Sequence, residues 1–356
     1  MKKYMHFTLR IILVVLCVFL NLAHYPKALS DLNLLEDYPN NNTLPNHFRK
    51  STDEVSELSD MDINLKGLDT LNISGSGQFS ESALSLIKDS ISKDFKIIDI
   101  DLRQESHGFV NGIAISWENL KNNANKGLSL SEVLYTENTL LNSIKIGSPI
   151  TFYNTKETIV PKYVQDELAL TTSKKIGYLR IPVTDGNMPT EDMVDYFIKF
   201  VNNQPKDTWL HFHCKEGIGR TTTFMIMYDI MKNYKEVSLN DIIKRQVILS
   251  KMKEKDAEGF YSGHHFKFLN NFYNDYTSKN TSVMNHENLN NSYDSYIRNS
   301  VIPKHLYVIS NTNINKEEQD IISALQSIMS KKSNLQIYLL SNDEPDYKLS
   351  STILHI

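Results

Sequence analysis

Residues 208–224 read TWLHFHCKEGIGRTTTF: an apolar strand, a glycine-punctuated turn and the head of an apolar helix. The turn has a cysteine at its start and an arginine at its end. Gly217 and Gly219 let the backbone turn sharply and approach a ligand. The amides of such a loop and the following helix N-terminus together form an anion site. Arg220 closes that ring with a planar fork suited to two phosphate oxygens. Cys214 then stands among dipoles that favour its thiolate form. The predicted loop is His213-Cys214-Lys215-Glu216-Gly217-Ile218-Gly219-Arg220-Thr221, a nucleophile set in a phosphate cradle.

Outward from this loop, the pattern alternates. FKIIDIDLR (95–103) and KIGYLRIPV (175–183) read as strands. SESALSLIKDSI (80–91), SLSEVLYTENTLL (129–141), a segment begun near Thr190, and stretches near 238–252 and 264–276 read as helices. Ser129 and Glu132 have the spacing of a capping box. The helix from Gly219 is apolar nearly all round and belongs in the interior. Short β-branched runs over 145–170 read as small strands and loops. The sum is an α/β chain with a largely parallel sheet covered on both faces.

The ends read differently. Residues 1–30 combine a basic start, an apolar run over 11–23 and small residues at Ala28 and Ser30, as a cleaved signal peptide does. Export is the expectation, with no stable membrane insertion after cleavage. Losing Lys2, Lys3, Arg10 and Lys27 with no acid takes the net charge from −4 to −8, a sign that gives no reason to expect nucleic-acid binding. The chain has two cysteines. With Cys17 in the leader, Cys214 has no partner for an internal disulfide and is either a buried hydrophobe or a reactive thiol. Residues 31–43 read as an extended arm, 44–276 as the main domain, 277–300 as an Asn/Ser-rich linker, and 301–356 as a strand–helix–strand extension of unknown role.

HCKEGIGRTT resembles the signature loop of the protein-tyrosine-phosphatase superfamily. With LPNHFR (44–49), LNISGSGQFS (71–80), DLRQESHGFVNGIAISW (101–117) and LRIPVTDGNMPT (179–190), the chain resembles the protein-tyrosine-phosphatase-like phytases of bacteria. The resemblance implies a protein-tyrosine-phosphatase-like core with a small strand-rich subdomain. It implies hydrolysis of myo-inositol polyphosphates such as phytate through a phosphocysteine on Cys214. Asp185 becomes the general acid, Arg220 the phosphate fork and Thr221 the hydroxyl that steadies the thiolate, with no metal or other cofactor. Arg103, Lys267, Arg49, His107 and Lys215 are the residues expected to bind the other phosphates. Glu105 is expected to hold Arg103 or Arg220, and His213 to orient the loop through its backbone. A secreted tyrosine, dual-specificity or phosphoinositide phosphatase is the alternative, and self-association is left open. Gly186 stands where relatives often carry histidine, aromatic residues are missing near Glu118 and Asn123, and Lys215-Glu216 replaces smaller residues. These departures bear on substrate preference.

Overall fold

The computed structural model describes residues 32–54, 56, 62–282, 304–311 and 335–342. The leader read over 1–30 lies outside them. In chain order the elements begin with strands β1 (Asn33–Tyr38), β2 (Arg49–Lys50) and β3 (Ile73–Ser76), then helix α1 (Glu81–Asp89). Strands β4 (Lys96–Arg103), β5 (His107–Val110) and β6 (Ile113–Glu118) lead to α2 (Leu130–Ser143), then β7 (Ile150–Thr151), β8 (Thr158–Ile159) and β9 (Val164–Gln165). Next come α3 (Glu167–Ser173), β10 (Gly177–Val183), α4 (Glu191–Asn202), β11 (Thr208–His213) and α5 (Gly219–Asn233). Helices α6 (Leu239–Ser250), α7 (Glu254–Tyr261) and α8 (His264–Ser282) follow, and strands β12 (Lys304–Asn311) and β13 (Leu335–Asn342) stand last.

The main sheet has the order β10-β4-β11-β3-β2, parallel except for the antiparallel edge pair β2–β3. A second sheet, β1-β6-β5-β9, is antiparallel throughout. This is an α/β fold with a smaller strand-rich part, as the sequence implied.

Alternation along the central strands gives the main sheet two unlike faces. Ile98, Ile100, Leu102, Leu210 and Phe212 belong to one apolar cluster with the residues of α5. That helix buries every residue from Arg220 to Met231, which its lack of a polar face required. Phe197 of α4 meets Phe212 edge-on at 6.0 Å and Phe224 at 5.0 Å between ring centres.

The opposite face has Asp99, Asp101 and Arg103 on β4 and His211 and His213 on β11, with Asp99 opposite His211 and Asp101 opposite His213. Alternating charge of this kind ordinarily marks a solvated face, yet all five are buried. Glu167, at the start of α3, and His107, on β5, reach into it: His213 Nε2 lies 2.6 Å from Glu167 Oε1, and His107 Nε2 lies 3.2 Å from Asp101 Oδ2. Arg180 spans the layer, donating to Glu137 Oε2 at 2.8 Å and to the Arg103 carbonyl at 2.9 Å. His107 is therefore part of the buried ionic layer, with 1% of its surface exposed; of its two readings, a phosphate contact or a satisfied buried turn, the first is corrected and the second fits, with Nδ1 2.8 Å from the Glu105 carbonyl.

Two boundaries are also corrected. The arm read over 31–43 includes β1, which pairs with β6 as the edge of the second sheet. The linker read from 277 begins later, because α8 runs on to Ser282. The helix α7 went unread, its short apolar pattern being only Ala257 and Phe260 on the buried side. The capping box is present, with Ser129 N–H donating to Glu132 Oε2 at 2.8 Å. In the C-terminal extension β12 and β13 pair in parallel; the helix read between them lies outside the described residues. No helix among the described residues is long and apolar enough to cross a membrane.

Two predictions follow from this layering. Phe197→Ala should destabilise the fold by about 3–5 kcal/mol, read from the urea-unfolding midpoint at unchanged slope. For His107, burial disfavours the charge but Asp101 and Glu137 more than offset it, and its pKa is pushed up to about 10. The stabilisation is complete below the ordinary histidine value and is lost as pH rises toward 10. Urea unfolding between pH 6 and 10.5 should show that decline, and His107→Gln should flatten it.

Candidate active site

Strand β11, the central strand of the main sheet, delivers the chain to Cys214 at its C-terminal end, and α5 takes it up again at Gly219. Between them the loop lies against the turn after β3. Gly217 has φ +79°, and a Cβ there would stand 2.3 Å from the Gly77 nitrogen, so only glycine fits. Gln78 N–H donates to the Lys215 carbonyl at 2.9 Å, and Gly77 N–H to the Asn46 carbonyl at 2.8 Å. The blocks LPNHFR and SGSGQ are thus the bed on which the loop rests.

Arg49 belongs to that bed. It is 2% exposed and donates to the carbonyls of Gly217 and His47, each at 2.9 Å, and to Thr222 Oγ1 at 2.9 Å. Burial lowers its pKa to about 10, with Cys214 acting the other way. Its role as a substrate contact is corrected: it braces the loop from behind.

Cys214 Sγ receives the Gly217 N–H and the Thr221 hydroxyl, both at 3.2 Å. Arg220, at the first turn of α5, donates to both oxygens of Glu105 at 2.7 and 2.9 Å and to the Val183 carbonyl at 3.0 Å. Burial works against its charge, but Glu105 and Cys214 more than compensate and hold the guanidinium protonated. Glu105 itself is held well below the usual carboxylate range: burial opposes this, while Arg220 and Arg103 impose it. The pairing expected of Glu105 holds for both arginines, since Arg103 Nε also donates to it at 2.9 Å.

Arg103 is wholly buried, reaching Gln78 Oε1 at 2.6 Å and Asp37 Oδ2 at 2.8 Å besides Glu105. The expectation that it contacts substrate is corrected, because no part of it meets solvent. His213 is corrected as well: its Nε2 meets the Glu167 carboxylate, not loop backbone.

Asp185 follows β10 in a turn closed by Asn187 N–H to the Thr184 carbonyl at 3.0 Å, with Gly186 at φ +69°. Its Oδ1 lies 3.0 Å from Arg220 Nη2, and Asn122 Nδ2 donates to its Oδ2 at 3.1 Å. With its side chain 46% exposed, it is the accessible member of the group. Thr184 Oγ1 donates to Gln104 Oε1 and ties this turn to the end of β4. The fold therefore brings Asp185, after β10, together with Cys214, Arg220 and Thr221, at the loop and the start of α5.

Lys215 pairs with Glu118 and, at 3.2 Å, with Asp37 Oδ1. Glu216 is exposed, and Ile218 and Gly219 are half-buried. Lys267 is exposed on α8, two residues beyond His265, whose Nδ1 lies 2.9 Å from Thr223 Oγ1 on α5. Sequence reasoning missed Asp37, Gln78, Glu118, Asn122 and Glu167. Asn122 had one usable signal, an Asn pair in a polar loop, and it takes φ +48° there. Asp37 and Glu118 come to Lys215 through the β1–β6 pairing, which no local pattern announces.

Among the described residues, Asp99, Glu167 and His213, and likewise Asp101, His107 and Glu167, bring ligand-type atoms within 4.8 Å of one another. All are buried behind the loop, and each group's histidine lies against its carboxyl oxygens, His107 Nε2 3.3 Å from Glu167 Oε2 and His213 Nε2 2.6 Å from Glu167 Oε1.

A model of protein-tyrosine-phosphatase-like phytases, described by the words inositol hexakisphosphate, matches residues 100–232. A second model, the first domain of the GxGYxYP_N family, matches residues 305–349. The chain is 28% identical over 217 residues to effector protein hopD2 of Pseudomonas syringae pv. tomato, covering 57% of this chain and 46% of hopD2. A phosphatase-like myo-inositol phosphatase of Mitsuokella multacida, solved with myo-inositol-(1,3,4,5)-tetrakisphosphate, is 30% identical with TM-score 0.62, covering 79% of this chain and 50% of that one. The chain thus spans about half the length of these two relatives. A phytase of the same kind from Bdellovibrio bacteriovorus is 32% identical with TM-score 0.57, covering 69% of this chain and 89% of that one. The signature loop, the fold and this near-complete coverage of a related phytase agree: the chain belongs to the protein-tyrosine-phosphatase-like phytase family.

Proposed function

We propose that this protein is a cysteine-dependent phosphatase of myo-inositol polyphosphates. The observation that carries the reading is the convergence on Cys214 Sγ of the Gly217 N–H and Thr221 hydroxyl, with the Arg220 fork and the Asp185 carboxyl beside them. The Cys214 thiolate attacks phosphorus in line, the bond from phosphorus to the inositol oxygen breaks, and Asp185 protonates that oxygen as it leaves. Water then attacks the phosphocysteine, Asp185 takes its proton, the S–P bond breaks and phosphate departs. Charge on the equatorial oxygens is met by Arg220 and the loop amides. Gly217 and Thr221 hold the sulfur as it becomes a leaving group again.

Arg220 would have to release Asp185 in this sequence, since its Nη2 holds the acid in the free protein. A phosphoryl oxygen is the natural replacement, so substrate binding would itself free the acid for the leaving oxygen. The basic leader and its apolar run support export as part of the same proposal.

Cys214→Ser should lower phosphate release from inositol hexakisphosphate by about 10,000-fold or more, measured by colorimetric assay, while unfolding stays cooperative. Asp185→Asn should cost roughly 100- to 10,000-fold on the same substrate and much less on 4-nitrophenyl phosphate, whose leaving group departs without a proton. Rapid turnover of phosphotyrosyl peptide with none of inositol hexakisphosphate would instead favour a tyrosine phosphatase.

A further inference from the structure

Arg103 and Arg49 are buried and committed to protein partners, so neither can meet a second phosphate. Lys215, whose side chain is 18% exposed, is the signature loop's other cation besides Arg220. Its ammonium is held between Asp37 and Glu118. The two carboxylates differ in freedom. Asp37 is 1% exposed and locked by Arg103 at 2.8 Å and the Ser116 hydroxyl at 2.7 Å, whereas the Glu118 side chain is 18% exposed and ends a strand. Burial also raises the pKa of Glu118, against the pull of Lys215, as befits the weaker-held partner.

A substrate with one phosphate needs only Arg220 and the loop amides. A substrate with several phosphates brings some of them within reach of the loop's own Lys215, and Glu118 then competes as a carboxylate for the same ammonium. We propose that Glu118 is a specificity-determining residue, which masks Lys215 and so weakens the preference of the site for highly phosphorylated inositols. This rests on the proposed function, and it assigns the charge that tunes it.

The test is binding to full-length Cys214→Ser protein, with and without Glu118→Gln, by calorimetry with inositol hexakisphosphate and with inorganic phosphate. Glu118→Gln should lower the Kd for hexakisphosphate by about fivefold or more relative to the change for inorganic phosphate. Lys215→Met should weaken hexakisphosphate binding strongly when combined with Glu118→Gln and only slightly on its own. An unmoved Kd ratio would overturn the inference, as would equal loss from Lys215→Met in both backgrounds, or no hexakisphosphate binding at all. If Glu118→Gln protein fails to unfold cooperatively, Glu118→Ala takes its place in the same comparison. Turnover by the wild-type chain is measured separately: its absence speaks against the proposed function, while a fixed Kd ratio speaks against the role of Glu118.

Discussion

One buried carboxylate organises the site. Glu105 takes both terminal nitrogens of Arg220 and the Nε of Arg103, so a single side chain joins the signature loop to the end of β4. An arginine fork aimed at phosphate must be fixed before the phosphate arrives, and a bidentate carboxylate does this. Against the effect of burial, Arg220 and Arg103 together hold that carboxylate well below its usual range. From Arg103 the chain of contacts passes to Asp37 and on to Lys215, which returns to the loop.

The circuit exists because the main sheet has an ionic face that is covered instead of wet. Sheets of this class usually bury apolar residues on both sides. Here the second sheet and α3 supply Glu167, His107 and Asp37 to meet the charges of β4 and β11. Asp99 shows the cost: burial and the neighbouring Glu167 push its pKa well above the carboxylate range. The arrangement trades stability for a rigid, preset field at the loop.

Much of this was legible in the chain. HCKEGIGRTT encodes much of its own conformation, since Gly217 answers a steric demand and the helix after it has no polar side to expose. Asp185 was singled out by the family resemblance, which marks an acid after the strand RIPV. What escaped reading was long-range. Nothing in FKIIDIDLR says that its alternate charges will be roofed over, and the hairpin that helps roof them, turned at Asn111 and Gly112 with φ of 53° and 78°, was signalled by an Asn-Gly pair that went unused. Arg49 and Arg103 were read as hands for the substrate because an arginine in a phosphate-handling motif invites it. The fold spends them on the loop and on Glu105.

The central claim is that the sulfur of Cys214 takes the phosphoryl group. Acid-quenching the enzyme during turnover of inositol hexakisphosphate and mapping its peptides by mass spectrometry tests this directly. The account predicts a phosphoryl group on the peptide bearing Cys214, absent without substrate; steady phosphate release with that cysteine never modified would contradict it.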